Sequence, residues 1–370
     1  MFSPEELFRY SRHLNLPDFD SNDQESIHQA KVLVVGCGGL GSPVLLYLAA
    51  LGVGTLGLVD NDSIDLSNLQ RQILFNTQEI GKSKAKIAAD RLTQLNPHLH
   101  IEVIEERITS SNALSIVEGY SMIIDGSDNL PTRYLLNDTA ILANIPLVHG
   151  SIYRYEGQVA VFNYINKEGN RSSNYRDLFP EPPPPSMVPS CAEGGVLGVL
   201  PGIIGTLMTN EAIKIIRGLR PELIDKLLIV DAENLEFRKI KIKKRKDNPL
   251  TGENPSIFQL IDYELFCDSY YLPIEEIDRK TLESWNQNGS PFRLIDVREK
   301  NEYFHQNIGG INIPLSDLSN HLDAFTGNDP IVLLCQSGKR SKKAIAILKE
   351  KGFTNNFYNL SGGIEAYNHK

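Results

Sequence analysis

The sequence predicts an α/β protein made of two successive units. Three observations carry this. From Lys31 onward, apolar strands alternate with amphipathic helices, a pattern that calls for a parallel sheet covered on both faces. A glycine turn, "GCGGLG", joins the first strand to the first helix. Much later, the basic, proline- and glycine-containing stretch "IKKRKDNPLTGENPS" breaks the pattern, and a second strand and helix set begins beyond Ser269. The expected division is a first unit at 1–246, a linker at 247–268 and a second unit at 269–370.

Each element follows from its local pattern. "KVLVV" and "TLGLVD" are short apolar runs of strand length. "SPVLLYLAALG", between them, is a helix closed by glycine. "KAKIAADRLTQL" has helical apolar spacing; "IEVIEE" is a strand, Asn112 to Glu118 a helix, and "MIIDG" a strand. A helix from Arg133 to Ala143 precedes the strand "PLVHG", and "SIYRYEGQVAVFNYI" reads as a hairpin-like pair. The proline run Pro182 to Pro185 can be neither helix nor central strand. In the second unit, "FRLIDV", "IVLLC" and "FYNL" are strands, and "SKKAIAILKEKG" is a helix ended by Gly352.

Composition sets broad limits. The chain has 370 residues, comfortable for two domains, and its 41% hydrophobic content suits a soluble protein with full-sized cores. A net charge of -9 argues against nucleic acid as the main partner. Four cysteines in so long a chain make no disulfide framework, so a reducing, cytoplasmic compartment is expected. The start, "MFSPEELFRYSRHLNL", is not a signal peptide. Val196 to Met208 contains Pro201 and three glycines and is too broken to span a membrane.

Gly36, Gly38, Gly39 and Gly41 lie between a strand and a helix, where the backbone turns tightly and amides at the helix start bind an anion. Asp60 ends the next strand, where an acid accepts hydrogen bonds from a ribose. This much fits a Rossmann-like dinucleotide-dependent oxidoreductase equally well. The next motifs discriminate. "DLSNLQRQ" brings Asn68 and Arg71, and "GKSKAKIAA" brings Lys82 and Lys84. A triphosphate attacked at its α-phosphorus needs such cations, whereas a nicotinamide does not. "DGSDN" adds Asp125 and Asp128 at and beyond a later strand end, where a carboxylate can hold Mg2+.

"RYSRHLNL", "VVGCGGLGSP", "VDNDSIDLSNLQRQ", "GKSKA", "DGSDNLPTRYLLND" and "FPEPPPPSMVPSCAEGGVLGVLPGIIG" together closely resemble the MoeB/ThiF/HesA adenylating enzymes, relatives of ubiquitin-activating enzymes. The resemblance covers about Pro4 to Ile242. It implies that ATP adenylates the C-terminal glycine of a ubiquitin-fold sulfur carrier ending in Gly-Gly. It implies ATP contacts at Gly36, Gly38, Gly39, Gly41, Asp60, Asp62, Ser67, Asn68, Leu69, Gln70, Arg71, Lys84, Asp128 and Asn129. Asp128 would position Mg2+. Arg12 would act in the partner subunit's site, which implies a homodimer.

Two features depart from or extend that pattern. Relatives usually hold a structural zinc with two CxxC pairs; here Asn174, Asp177, Asn248 and Thr251 stand at those positions. No thiolate remains, so no structural zinc is expected, and the region should be held by packing or left loose. Cys191 matches a cysteine proposed to form an acyl or mixed-disulfide intermediate; a dispensable residue on a mobile loop is the alternative. Cys37 and Cys267 read as packing residues.

In the second unit, "LIDVREKNEYF", "IGGINIPLSDL", "CQSGKRS" and "LSGGIEAY" resemble a single-domain rhodanese. That chemistry needs a cysteine carrying an extra, anionic sulfur, cradled by amides at a helix start. By that resemblance Cys335 would be the persulfide cysteine, and Gln336, Ser337, Gly338, Lys339 and Arg340 would form the cradle. Ser337 and Gly338 keep the loop tight, and Lys339 and Arg340 add positive field. Gln336 departs from the arginine common there, which could alter the sulfur donor, a cysteine desulfurase or thiosulfate.

The expected function is adenylation of a carrier followed by sulfur transfer from Cys335 to give a thiocarboxylate. The molybdopterin carrier leads because "SNLQRQ" and the proline loop most resemble MoeB-type members. The alternatives are a thiamine or other carrier pathway with a rhodanese unit that only docks the carrier, and the oxidoreductase.

Overall fold

The computed structural model describes residues 2–182, 195–269, 274–327 and 329–368. The chain divides into Met1–Tyr263 and Glu264–Lys370. Residues just after the basic stretch belong with the first unit: the Tyr263 hydroxyl donates to the Asp138 carboxylate at 2.8 Å, inside its core.

The first unit is built on eight strands: β1 (Lys31–Val35), β2 (Thr55–Val59), β3 (His100–Ile104), β4 (Met122–Asp125), β5 (Leu147–Tyr153), β6 (Glu156–Phe162), β7 (Lys226–Asp231) and β8 (Glu236–Lys241). Their order is β3-β2-β1-β4-β5-β6-β7-β8. The first five are parallel, and β6 to β8 extend the sheet antiparallel. Val32, Leu33 and Val34 are fully buried, as a parallel strand covered on both faces requires. β5 continues through Tyr153, joining the expected strand to the first half of the expected hairpin. Arg154, at φ 52°, turns the chain into β6.

Register decides where chemistry can sit. Val35 pairs with Val59 of β2 and with Asp125 of β4. Gly36, Asp60 and Gly126 therefore leave the sheet side by side at its carboxyl edge. β1 has β2 on one flank and β4 on the other, so this edge is the topological switch point, where open α/β sheets bind ligands. The helices Gly41–Leu51 and Lys84–Leu95 start from this edge.

The second unit is a five-stranded parallel sheet, ordered β11-β10-β12-β13-β9. Its strands are β9 (Glu275–Ile277), β10 (Arg293–Asp296), β11 (Ile311–Asn312), β12 (Ile331–Leu334) and β13 (Phe357–Leu360). β12 is central and entirely buried: Ile331 and Leu333 pack on one face, Val332 and Leu334 on the other. It delivers Cys335 to the carboxyl edge, ahead of the helix Lys339–Glu350.

Candidate active sites

In the first unit, a cavity of about 340 Å³ opens at the switch point. It is lined by Gly36, Gly38, Gly39, Asp60, Asp62, Arg71, Lys84, Asp128 and Asn129, all named from the sequence. The glycine turn makes it possible. Gly36 has φ +93°, and a Cβ there would lie 2.7 Å from the Gly126 carbonyl. A Cβ on Gly41 would fall 1.9 Å from the Gly36 carbonyl, so the helix can start only this close to the strand end without a side chain. That helix has no side-chain cap at its start; its Ser42 amide donates to the Gly38 carbonyl at 2.9 Å and Pro43 has no N–H, so an anion is left to the amides of the glycine turn that precedes it.

The charges around the cavity are organised. Asp60 accepts from the Cys37 amide at 2.7 Å and the Asp62 amide at 2.9 Å, which fixes the carboxylate at the mouth of the turn. Burial pushes its carboxyl above the usual range, against the pull of those amides and of Lys84. Lys84 is 5% exposed, and its ammonium is 2.9 Å from Asp62. A buried lysine is retained only with such a partner. Arg71 is tied by one guanidinium nitrogen to the Ser67 carbonyl at 3.1 Å.

Other predicted residues build the wall from behind. Ser67 and Asn68 lie in the short turn Leu66–Asn68, capped by Asp65, and the Asn68 carbonyl accepts from the amides of Arg71 and Gln72. Leu69 packs on the core, and the Gln70 backbone lies against Gly198. Gly41, Ser67, Asn68, Leu69 and Gln70 do not line the cavity. Arg12 is exposed on the helix Ser11–Leu14 and is not among the residues lining the cavity. Asn129 caps the helix Leu130–Leu142 through its side-chain oxygen, 3.0 Å from the Thr132 amide. Asp128 is exposed at the cavity wall.

Several cavity residues escaped the sequence reading: Gln72, Arg107, Ser127, Thr132 and Arg133. Gln72 is 5% exposed, and its side-chain oxygen has no hydrogen-bond partner among the described residues. It directly follows Arg71, and that adjacency was the available signal. Arg133 lies four residues beyond Asn129, one helical turn away. Beneath this wall, Asp125 accepts from the Ser127 amide and hydroxyl at 3.0 and 2.5 Å and from the His149 ring at 2.8 Å. Burial alone would raise the Asp125 carboxyl; His149, Arg133 and Ser127 hold it below the usual range. Burial lowers His149. The pair is thus a carboxylate and a neutral imidazole whose Nδ1–H donates, and it braces the loop that carries Asp128.

In the second unit, Cys335 is 1% exposed. Gly338, at φ +87°, lets the loop curl back into the following helix. The Cys335 sulfur lies 3.5 Å from the Ser341 hydroxyl, which also contacts the Gly338 carbonyl and, at 2.6 Å, the Asn359 side-chain oxygen. The expected positive field is altered. Arg340 forms two bonds to Glu302, at 2.6 and 2.7 Å, so its charge is answered by a carboxylate. Gln336 accepts from Arg298 at 3.3 Å and donates to Glu365 at 3.2 Å. Lys339 opens the helix. Cys191 lies outside the described residues.

Comparison with known proteins assigns a family to each unit. Residues 10–251 match the ThiF family. The chain belongs to the ThiF family. Its residues 278–370 match the rhodanese-like domain, so this ThiF-family chain carries a second, sulfurtransferase-type unit. It is 44% identical, over 99% of its length and 93% of the relative, to a probable adenylyltransferase/sulfurtransferase MoeZ of Mycobacterium tuberculosis. It is 48% identical to the sulfur carrier protein adenylyltransferase of Thermus thermophilus, over 72% of this chain and 98% of that one. The adenylyltransferase and sulfurtransferase MOCS3 of Drosophila grimshawi is 39% identical over 99% of this chain and 84% of the relative. Among solved structures, E. coli MccB with ATP aligns at a TM-score of 0.57 and 21% identity, covering 66% of this chain and 74% of that one. That likeness is one of fold.

At the positions where ThiF-family relatives are expected to hold zinc, this chain folds differently from either expectation. Asn174, Asp177, Asn248 and Thr251 come together, neither merely packed nor loose. Asn248 donates to Asn174 at 3.2 Å and to Asp177 at 2.8 Å, and Asn174 donates to Thr251 at 3.0 Å. Asp177 also accepts from the Asn174 and Arg245 amides at 2.9 Å each. Asn248 accepts from the Leu250 and Thr251 amides at 3.0 and 3.2 Å. Two carboxamides, a hydroxyl and a single carboxylate, the carboxylate already accepting from Asn248 and from the Asn174 and Arg245 amides, do not make a four-ligand zinc site, which is built from thiolate, imidazole and carboxylate groups. Among the described residues, no group of three or more His, Cys, Asp or Glu could hold a metal. A polar clasp thus joins the 174–177 and 248–251 turns.

Proposed function

We propose that this chain adenylates the C-terminal glycine of a ubiquitin-fold sulfur carrier and then delivers sulfur to it from Cys335. The observation that carries this reading is the cation-lined cavity. Arg71, the buried Lys84 and Arg133 converge on a glycine turn at one sheet edge, in a chain similar along its whole length to an adenylyltransferase/sulfurtransferase. The carrier carboxylate attacks the α-phosphorus of ATP, and pyrophosphate leaves. Arg71 and Lys84 meet the charge that grows on the phosphates, and the glycine-turn amides hold them in line. Asp128, an exposed hard oxygen donor on the wall, suits Mg2+, which would neutralise phosphate charge. Asp60 takes the ribose. Arg12, exposed and not lining its own cavity, would serve the second subunit of a homodimer.

A Cys335 persulfide then attacks the acyl carbon and displaces AMP, leaving an acyl disulfide. A second thiol then attacks the Cys335 sulfur of that bond. The thiocarboxylate leaves, and a disulfide joins that thiol to Cys335. The carrier would be of the molybdopterin type, supported by "SNLQRQ" and the proline loop. The test is exchange of labelled pyrophosphate into ATP, which should require a carrier ending in Gly-Gly. No exchange with any such carrier removes the reading. Cys335→Ala should keep exchange and lose thiocarboxylate; retained thiocarboxylate would reduce the second unit to a docking module.

A further inference from the structure

We propose that the Cys335 loop selects a persulfide, R–S–SH, as its sulfur donor over the thiosulfate dianion, and that Gln336 is the residue that sets this preference. The proposal rests on the sulfur-transfer reading of the second unit.

The charge around the loop carries the inference. Immediately after the cysteine stands a neutral amide. Gln336 bridges Arg298 on one side and Glu365 on the other. Arg298 is not available to an incoming anion: Asp296 lies 2.7 Å away, with both side chains no more than 2% exposed, and the Gln306 carbonyl accepts a further bond at 2.6 Å. Arg340 is held in the same way by both oxygens of Glu302. Arginine holds Glu302 down at about 2, so it stays ionised at any working pH. Among the described side chains in this network, three carboxylates (Asp296, Glu302 and Glu365) face two guanidiniums.

Thiosulfate brings two negative charges to this rim, and its leaving group, sulfite, carries two away. The amides at the start of the Lys339–Glu350 helix supply only a partial charge. They suit one anionic sulfur, not a dianion whose sulfonate would sit among carboxylates. A persulfide meets a lower barrier. The Cys335 thiolate attacks the outer sulfur, the donor S–S bond breaks, and R–S⁻ leaves with the electron pair while Cys335 becomes the persulfide. Atoms and charge balance without an added oxidant or reductant.

The experiment loads the full chain separately with cysteine persulfide and with thiosulfate and follows the mass of intact Cys335-persulfide protein with time. Wild type should load at least about tenfold faster from cysteine persulfide, the low end of what local charge does to an encounter rate. Gln336→Arg should shift the donor ratio toward thiosulfate by about tenfold, and Glu302→Gln, which frees Arg340, in the same direction. Equal or faster loading of wild type from thiosulfate overturns the proposal. So does a ratio that neither substitution moves. Loading from neither donor removes the sulfur-transfer reading together with this inference, whereas loading from both at equal rates leaves that reading standing and sinks the inference alone.

Discussion

Asn248→Ala is the sharpest test of the polar clasp. The substitution deletes two donated hydrogen bonds, to Asn174 and Asp177, and two accepted from the Leu250 and Thr251 amides. Asn174 and Asp177 keep other partners in the Arg176 and Arg245 amides. The Leu250 and Thr251 amides would turn to water, since Leu250 is half-buried and Thr251 exposed. With about 1 kcal/mol for each of the four net bonds lost, and less where water replaces the partner, the expected cost is about 3–4 kcal/mol. For a unit of this size that corresponds to a fall in melting temperature on the order of 10 °C. Calorimetry of the full chain should show the lower-melting variant and, for wild type, the same midpoint with and without a strong metal chelator. A loss under about 1 kcal/mol would mean that water replaces these bonds at little cost. A chelator-sensitive wild type, or one stoichiometric zinc per chain by elemental analysis, refutes the metal-free reading outright.

Three further outcomes follow. Lys84→Met should cut pyrophosphate exchange by about a hundredfold or more, the usual loss when a donor aimed at developing charge is removed, while thermal stability changes little because its partner Asp62 is 62% exposed. Gly41→Ala forces a Cβ to 1.9 Å from the Gly36 carbonyl; titration with ATP should find binding lost, at a stability cost of about 1–3 kcal/mol or more. Glu302 has its carboxyl lowered to about 2 by Arg340. A depressed carboxylate contributes stability that is fully present above its ordinary value of 4.5 and is lost as pH falls toward 2. Acid melts of the second unit should show that loss, and Glu302→Gln should flatten it. An unchanged slope in the variant would count against the ion pair.

The parts of this molecule that could be read from the sequence are those in which short-range pattern and tertiary position agree. β1 is buried on both faces, and its residues are apolar throughout. The helix Lys84–Leu95 matches its predicted span end to end, because its apolar spacing and the Ser83 cap act locally. β8 went unread because all six of its residues are exposed, so no apolar alternation marks it. The cavity could be located because glycines and acids at strand ends are forced to one edge by parallel topology. Arg133 and Gln72 could not be placed there, since their role depends on which way a helix and a loop turn afterwards. The least legible feature was pairing over distance. Arg340 meets Glu302 across 38 residues and Asn248 meets Asn174 across 74. No local pattern records that a cation is already neutralised, or that four substitutions are mutually complementary.

The clasp also bears on what kind of protein can safely handle labile sulfur. A zinc knot of four thiolates is a cluster of nucleophiles, each able to intercept a sulfane sulfur or to be oxidised and release its metal. Carboxamides, a carboxylate and a hydroxyl are inert to that chemistry. Of the four cysteines, Cys37 and Cys267 are buried in the fold. With no thiolates at these four positions to poison, sulfur that arrives at this chain has fewer places to go astray.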